Sequence, residues 1–145
     1  MSIICKLQFM AIRRLSIILY LCNMFRKYPF SLALVGVIWV ICLIPIPESP
    51  LSHVRFIDKW THLVMYATLC LVVWWEASRQ RISRVLLLTW LLPVLMGGLV
   101  ELAQRYCTGG VRSGDWLDFL ANATGATLAQ PIGWWIFRRF WKTGS

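Results

Sequence analysis

Four apolar stretches, residues 30–46, 60–75, 85–100 and 116–137, are joined by short connections whose charges sort by side. Thread the chain four times through a bilayer, with the leading segment, the second connection and the C-terminal end on one side. That side holds Lys6, Arg13, Arg14, Arg26, Lys27, Arg79, Arg81, Arg84, Arg138, Arg139 and Lys142 against one acid, Glu76. The other holds Arg55, Lys59, Arg105 and Arg112 with Glu48, Asp58, Glu101, Asp115 and Asp118. Short basic flanks are retained in the cytoplasm. The pattern therefore predicts an all-α, four-helix transmembrane bundle with both termini inside the cell. Most of the acids and both histidines, His53 and His62, fall at the outer surface, so any chemistry faces away from the cytoplasm.

Composition agrees. A chain of 145 residues has room for one small domain. With 59% apolar and 14% charged residues and a mean hydropathy of +0.65, it has too little polar surface to cover a soluble fold. The net charge of +9 would suit nucleic acid if it formed a stripe. Here the basic residues flank apolar stretches instead, which excludes that partner from the reading. The five cysteines, Cys5, Cys22, Cys42, Cys70 and Cys107, include no CxxC pair. Cys42 and Cys70 fall within apolar stretches as small hydrophobes, and Cys107 alone faces outward, without a disulfide partner there. No cofactor motif is present, and a single histidine in the outer patch predicts no metal site.

Three segments are expected: a cytoplasmic extension over residues 1–29, the membrane domain over 30–137, and a basic cytoplasmic tail over 138–145. Within the first, Arg13-Arg14 precede a short apolar run with no small-x-small cleavage site, so no cleaved signal peptide is expected. The run is either an amphipathic segment on the inner leaflet or an extension ahead of a start at Met24, and the compact basic lead beginning at Met24 favours the second. The first stretch ends at Pro45 and Pro47. Asp58 is expected to cap the second helix, which leaves the membrane through Trp74-Trp75 into a polar hairpin over 76–84. Pro93 is expected to kink the third helix and Pro131 to bend the fourth. Trp60 and Trp116 mark one interface, and Trp74, Trp75, Trp134 and Trp135 the other. Gly125, Ala126 and Ala129, with Ala121 one turn earlier, form a small-residue stripe that packs within the chain or against a second copy in a homodimer.

Polar groups gather at the outer ends of three helices. Asp58, His62 and Tyr66 share a face at i, i+4 and i+8, with Lys59 adjacent. Glu101 and Gln104 lie one turn apart. Asp115, Asp118 and Asn122 follow i, i+3 and i+7. Asp115 suits a helix N-cap and Asp118 the first turn, where acids are favoured. Ionisable groups this close to the hydrocarbon are costly unless paired, so these should face one another. Lys59 and Arg112 would bring positive charge to the rim, and the glycine-rich turn over 108–114 leads into a helix N-terminus that favours an anion. The expected ligand pocket thus comprises Lys59, His62, Glu101, Gln104, Arg112, Asp115, Asp118 and Asn122.

Read together, Asp58-Lys59-x-x-His62-x-x-x-Tyr66, Glu101-x-x-Gln104 and Arg112-Ser113-x-Asp115-x-x-Asp118-x-x-x-Asn122-x-x-Gly125 resemble the VanZ-like family over residues 30–133. The family comprises small bacterial membrane proteins named after a member associated with low-level resistance to the glycopeptide teicoplanin. The resemblance implies a cell-envelope role and supplies no catalytic residues. Membrane lipids and a lipid-linked cell-wall or glycolipid ligand are the expected partners of a non-enzymatic protein. The rival expectation is a membrane enzyme acting on a lipid phosphate or ester. In that case His62 would be the acid–base group, with Asp58 or Glu101 orienting it and a divalent ion available to the carboxylates.

Overall fold

The computed structural model describes Arg14, Ser16, Leu19 and residues 22–44, 57–79, 85–108 and 114–142, the side chains of 139–142 excepted. Pro45, Pro47, His53, Arg81, Arg84, Arg112 and the turn over 109–113 lie outside them. The described residues are helical and include no strand. Residues 22–27 are helical, and the longer helices among the described residues are, in order, α1 (Pro29–Leu43), α2 (Ile57–Ser78), α3 (Leu87–Cys107) and α4 (Trp116–Lys142). Among them α3 is long and apolar enough to cross a membrane, with 21 residues and mean hydropathy 1.5, whereas α1 is apolar but shorter at 15 residues. Polar groups near both ends of α2, Asp58, Lys59 and His62 at one and Glu76 at the other, dilute its hydropathy. In α4, Asp118, Asn122 and Gln130 do the same.

The most extensive contact joins α2 and α4, and glycine makes it possible. A Cβ at Gly125 would stand 2.2 Å from the Leu63 carbonyl oxygen, so only a bare backbone fits there. Ala126 and Ala129 continue this contact and are fully buried around Cys70. Gly125, Ala126 and Ala129 of the small-residue stripe are therefore packed within the chain, against α2. A second core joins α1, α2 and α3 through Ile38, Cys42, Tyr66, Leu69, Val73 and Val100. Among the described residues, Cys22, Cys42, Cys70 and Cys107 form no disulfide.

Two helix starts depend on partners far away in the chain. Helix α1 opens with Pro29 and has no side-chain cap of its own, although the first amides of a helix need acceptors. Glu76 of α2 supplies them: the N–H groups of Phe30 and Ser31 donate to its carboxylate at 2.9 and 3.1 Å, and the Ser31 hydroxyl donates as well. Glu76 is only 3% exposed. The polar hairpin expected from residue 76 thus begins later, because α2 runs on to Ser78 to carry this carboxylate to α1.

Helix α3 opens with a π-helical turn, Leu87–Leu91, ahead of Pro93. Proline has no N–H for the carbonyl four residues earlier, which is that of Thr89. Gln130 of α4 donates to this carbonyl through Nε2 at 3.0 Å. Its Oε1 accepts from Trp74 Nε1 and the Thr89 hydroxyl, each at 2.9 Å. The opening of α3 thus carries a widened turn ahead of Pro93, serviced by a neighbouring helix. Helix α4 continues through Pro131 without a break in its helical run.

Candidate functional site

Asp115 begins the site. Its Oδ1 accepts the Leu117 N–H at 3.0 Å and its carbonyl accepts those of Asp118 and Phe119, so it caps α4 as expected. Its own N–H donates to Glu101 Oε2 at 3.2 Å, tying the start of α4 to the C-terminal half of α3. Asp58, by contrast, does not precede α2: the helix already includes Ile57, and Asp58 sits in its first turn.

Lys59 lies between two carboxylates, with Nζ 2.8 Å from Asp115 Oδ2 and 2.6 Å from Asp118 Oδ1. Partial burial works against its charge, but the hydrogen bonds and charges of the two aspartates outweigh that cost and hold the ammonium well above the ordinary lysine range. Asp115 is shifted in the opposite sense. The hydrogen bond from Lys59, then that from the Leu117 amide, holds its carboxyl below the ordinary aspartate value. The positive charge that Lys59 was expected to offer a ligand is thus engaged within the protein.

Behind this pair lies a buried relay. Glu101 Oε1 accepts from Asn122 Nδ2 at 3.3 Å, and Asn122 Oδ1 lies 3.0 Å from His62 Nδ1. Because the Asn122 amide nitrogen is committed to Glu101, its oxygen faces the imidazole and Nδ1 carries the proton. Nε2 then faces Asp58 Oδ1 at 3.9 Å, and Glu101 Oε1 lies 3.8 Å from Nδ1. His62, Asn122, Asp118 and Glu101 are all buried. The Tyr66 hydroxyl, one turn beyond His62, is buried with no hydrogen-bond partner among the described residues.

Of the eight expected pocket residues and Asp58, nine in all, eight lie within the described parts, and seven of these converge: Asp58, Lys59, His62, Glu101, Asp115, Asp118 and Asn122. Gln104 turns away. Its Nε2 donates to the Cys42 carbonyl at 2.9 Å, satisfying the C-terminal end of α1. Arg112 is the ninth and lies outside the described residues.

Single ligand atoms of Asp58, His62 and Asp118 come within 4.8 Å of one another, a donor set suited to a divalent ion. Lys59 stands against the same Asp118 carboxylate, so an ion would have to displace or repel the ammonium. The arrangement as it stands is an ion-paired rim, Asp58, Lys59 and Asp115, over a closed hydrogen-bonded interior. Sequence reasoning overlooked Glu76 and Gln130 as buried polar anchors. A helix beginning with proline and lacking a cap, and a proline inside an apolar helix, are the local signs that such anchors were needed.

Fold and site together define a helical protein with, among the described residues, one candidate membrane-spanning helix and a polar cluster where α2, α3 and α4 meet. Comparison with protein-family models, with curated proteins and with solved structures gives no match.

Proposed function

We propose that the chain is a VanZ-like integral membrane protein of the bacterial cell envelope. All four helices cross the inner membrane, both termini are cytoplasmic, and the polar cluster faces outward. Two observations support the topology. Charges segregate as described above, and large apolar side chains are exposed on every helix, among them Val37, Val64, Leu95, Leu99, Leu128 and Ile132. A soluble monomer rarely shows such surface all round, whereas hydrocarbon would cover it. Exposed Trp60 and Trp116 lie beside the cluster, and exposed Trp134 and Trp135 lie near the other end of α4.

The role is non-enzymatic: the rim engages the polar part of a lipid- or glycan-linked ligand. The observation that carries this is the convergence of Asp58, Lys59 and Asp115 over the His62–Asn122–Glu101 relay. With Lys59 engaged by Asp115 and Asp118, carboxylates dominate the rim, which favours a ligand that donates hydrogen bonds, such as sugar hydroxyls. Asp118→Ala and Glu101→Ala should abolish an envelope phenotype, tolerance of teicoplanin being the one to measure first, at unchanged protein abundance. Loss of abundance alone would make both residues structural.

The second reading is a membrane enzyme acting on a lipid phosphate or ester. His62 between Asp58 and Glu101, with Asp118 close enough to share an ion, is the feature favouring it. Turnover of a labelled envelope lipid by purified protein, lost in His62→Ala, would establish that activity. The burial of His62 argues for the first reading, because a substrate would need the rim to open.

A further inference from the structure

Beside the relay, hydrogen-bond acceptors from three residues converge. With the Nδ1 proton of His62 donated to Asn122, Nε2 presents a lone pair, and among the described residues no donor reaches it. This nitrogen of a buried ring faces Asp58 Oδ1 at 3.9 Å. Asp118 is buried as well, and its carboxylate accepts one hydrogen bond among the described residues, from Lys59 to Oδ1. Single donor atoms of Asp58, His62 and Asp118 lie within 4.8 Å of one another.

We propose that Asp58, His62 Nε2 and Asp118 bind one divalent transition-metal ion, of the manganese or zinc class, and that Lys59 is its internal competitor. The inference rests on the geometry of the cluster, and on neither the membrane topology nor the ligand proposed above.

The bare imidazole nitrogen is the first argument. A buried lone pair set among carboxylate oxygens needs a positive partner. A water molecule has two protons to give, whereas a cation meets all three acceptors. The second argument is the support behind the ring. The Nδ1 proton goes to Asn122 Oδ1, and Asn122 Nδ2 goes to Glu101 Oε1. A metal-bound histidine is oriented in this way, with its other nitrogen donating to a fixed acceptor.

The donor set selects the ion. Imidazole with two carboxylates favours a first-row transition ion over magnesium or calcium, which prefer oxygen alone. Ligands 2.0–2.2 Å from an ion stand ~3–3.5 Å apart, so the carboxylates must close in by about an ångström. The Asp58 side chain, exposed and in the first turn of α2, is placed to do so. A carboxylate accepts at two oxygens, so Asp58 can serve the ion alongside its other contacts. Lys59 would leave Asp118 and stay with Asp115, already 2.8 Å away.

The test is electron paramagnetic resonance of Mn2+ titrated into the full chain in detergent, with no histidine tag attached. One saturable ion per chain is expected. Zn2+ should displace it, and about a ten-fold excess of Mg2+ should not. With nitrogen-15 in histidine, the nitrogen coupling to Mn2+ should persist in His53→Gln and vanish in His62→Gln. Asn122→Ala should weaken binding about 10–100-fold by releasing the ring, and Asp118→Asn at least as much. A neighbouring charge changes the affinity of a group for a proton by about ten-fold or more, and Lys59→Gln should tighten ion binding on that scale. A misfolded chain does not gain affinity, so Lys59→Gln decides the matter even if another variant fails to fold.

Absence of a saturable ion from the wild-type chain, a nitrogen coupling that follows His53, or a Lys59→Gln variant that binds no more tightly would each overturn the proposal. An ion bound without turnover of an envelope lipid would support this site and count against the enzymatic reading alone.

Discussion

Gln130 donates to the carbonyl of Thr89 at 3.0 Å, the carbonyl for which Pro93 has no amide to offer. One side chain on α4 thereby repairs the opening of α3, and it also receives Trp74 Nε1 from α2. Three helices meet on a single amide. Gln130→Leu should leave the Thr89 carbonyl and the Trp74 indole without this partner and lower stability by ~1–2 kcal/mol, in the upper part of the range for interhelical bonds in membranes. Thermal unfolding of detergent-purified protein measures it, and a variant as stable as wild type would refute the role assigned to Gln130.

Glu76 holds the start of α1 through two backbone amides and a hydroxyl. Glu76→Ala strips this end of its acceptors, at about 1.5–3 kcal/mol for hydrogen bonds to a charged group. The specific expectation is local: the amides of Phe30 and Ser31 should exchange hydrogen much faster, while those at the middle of α4 should not. Uniform acceleration along all helices would mean that Glu76 supports the bundle as a whole.

Gly125 and Gly36 make a matched pair. A Cβ at Gly125 meets the Leu63 carbonyl oxygen at 2.2 Å, whereas at Gly36 nothing lies within 4 Å. Gly125→Ala should force α2 and α4 apart and destabilise by at least the ~1–3 kcal/mol typical of overpacking. Gly36→Ala should be neutral or raise stability by up to ~1 kcal/mol, because alanine is the better helix former. Equal melting temperatures for the two variants would contradict the close α2–α4 contact.

The pair of Lys59 and Asp115 gives stability a defined pH response. Asp115 is held below its ordinary value of 3.8, so its contribution is present above that value and is lost as pH falls through the folded one. Lys59 is held above its ordinary value of 10.5, so its contribution is complete below that value and is lost only as pH rises through the folded one. Melting temperature should therefore be insensitive to this pair from about pH 5 to 9, with a decline at the acidic end that Asp115→Asn reduces. An Asp115→Asn variant with the same acidic slope as wild type would show that Asp115 does not contribute to it.

Much was legible without coordinates because it is local. The helices α1 to α4 follow from largely apolar runs, and the Asp115 cap follows from an acid placed just ahead of one. The grouping of Asp58 with His62, and of Asp118 with Asn122, follows from the helical repeat alone. These features depend on residues at most a few positions apart, so the sequence displays them directly.

Partner choice was not legible, because it depends on how whole helices dock. Nothing near Lys59 in sequence announces that Asp115 and Asp118, 56 and 59 residues away, would engage its charge. Gln104 shares a face with Glu101, yet the nearness of α1 directs it to the Cys42 carbonyl instead. Glu76 reads as one more polar residue beyond an apolar run until α1 is set against it, with its first amides in need of acceptors. The sequence by itself determined which segments are helical and which faces are polar. Tertiary packing alone decided which buried donor meets which acceptor, because away from water each such group must take whatever partner the neighbouring helix brings within reach.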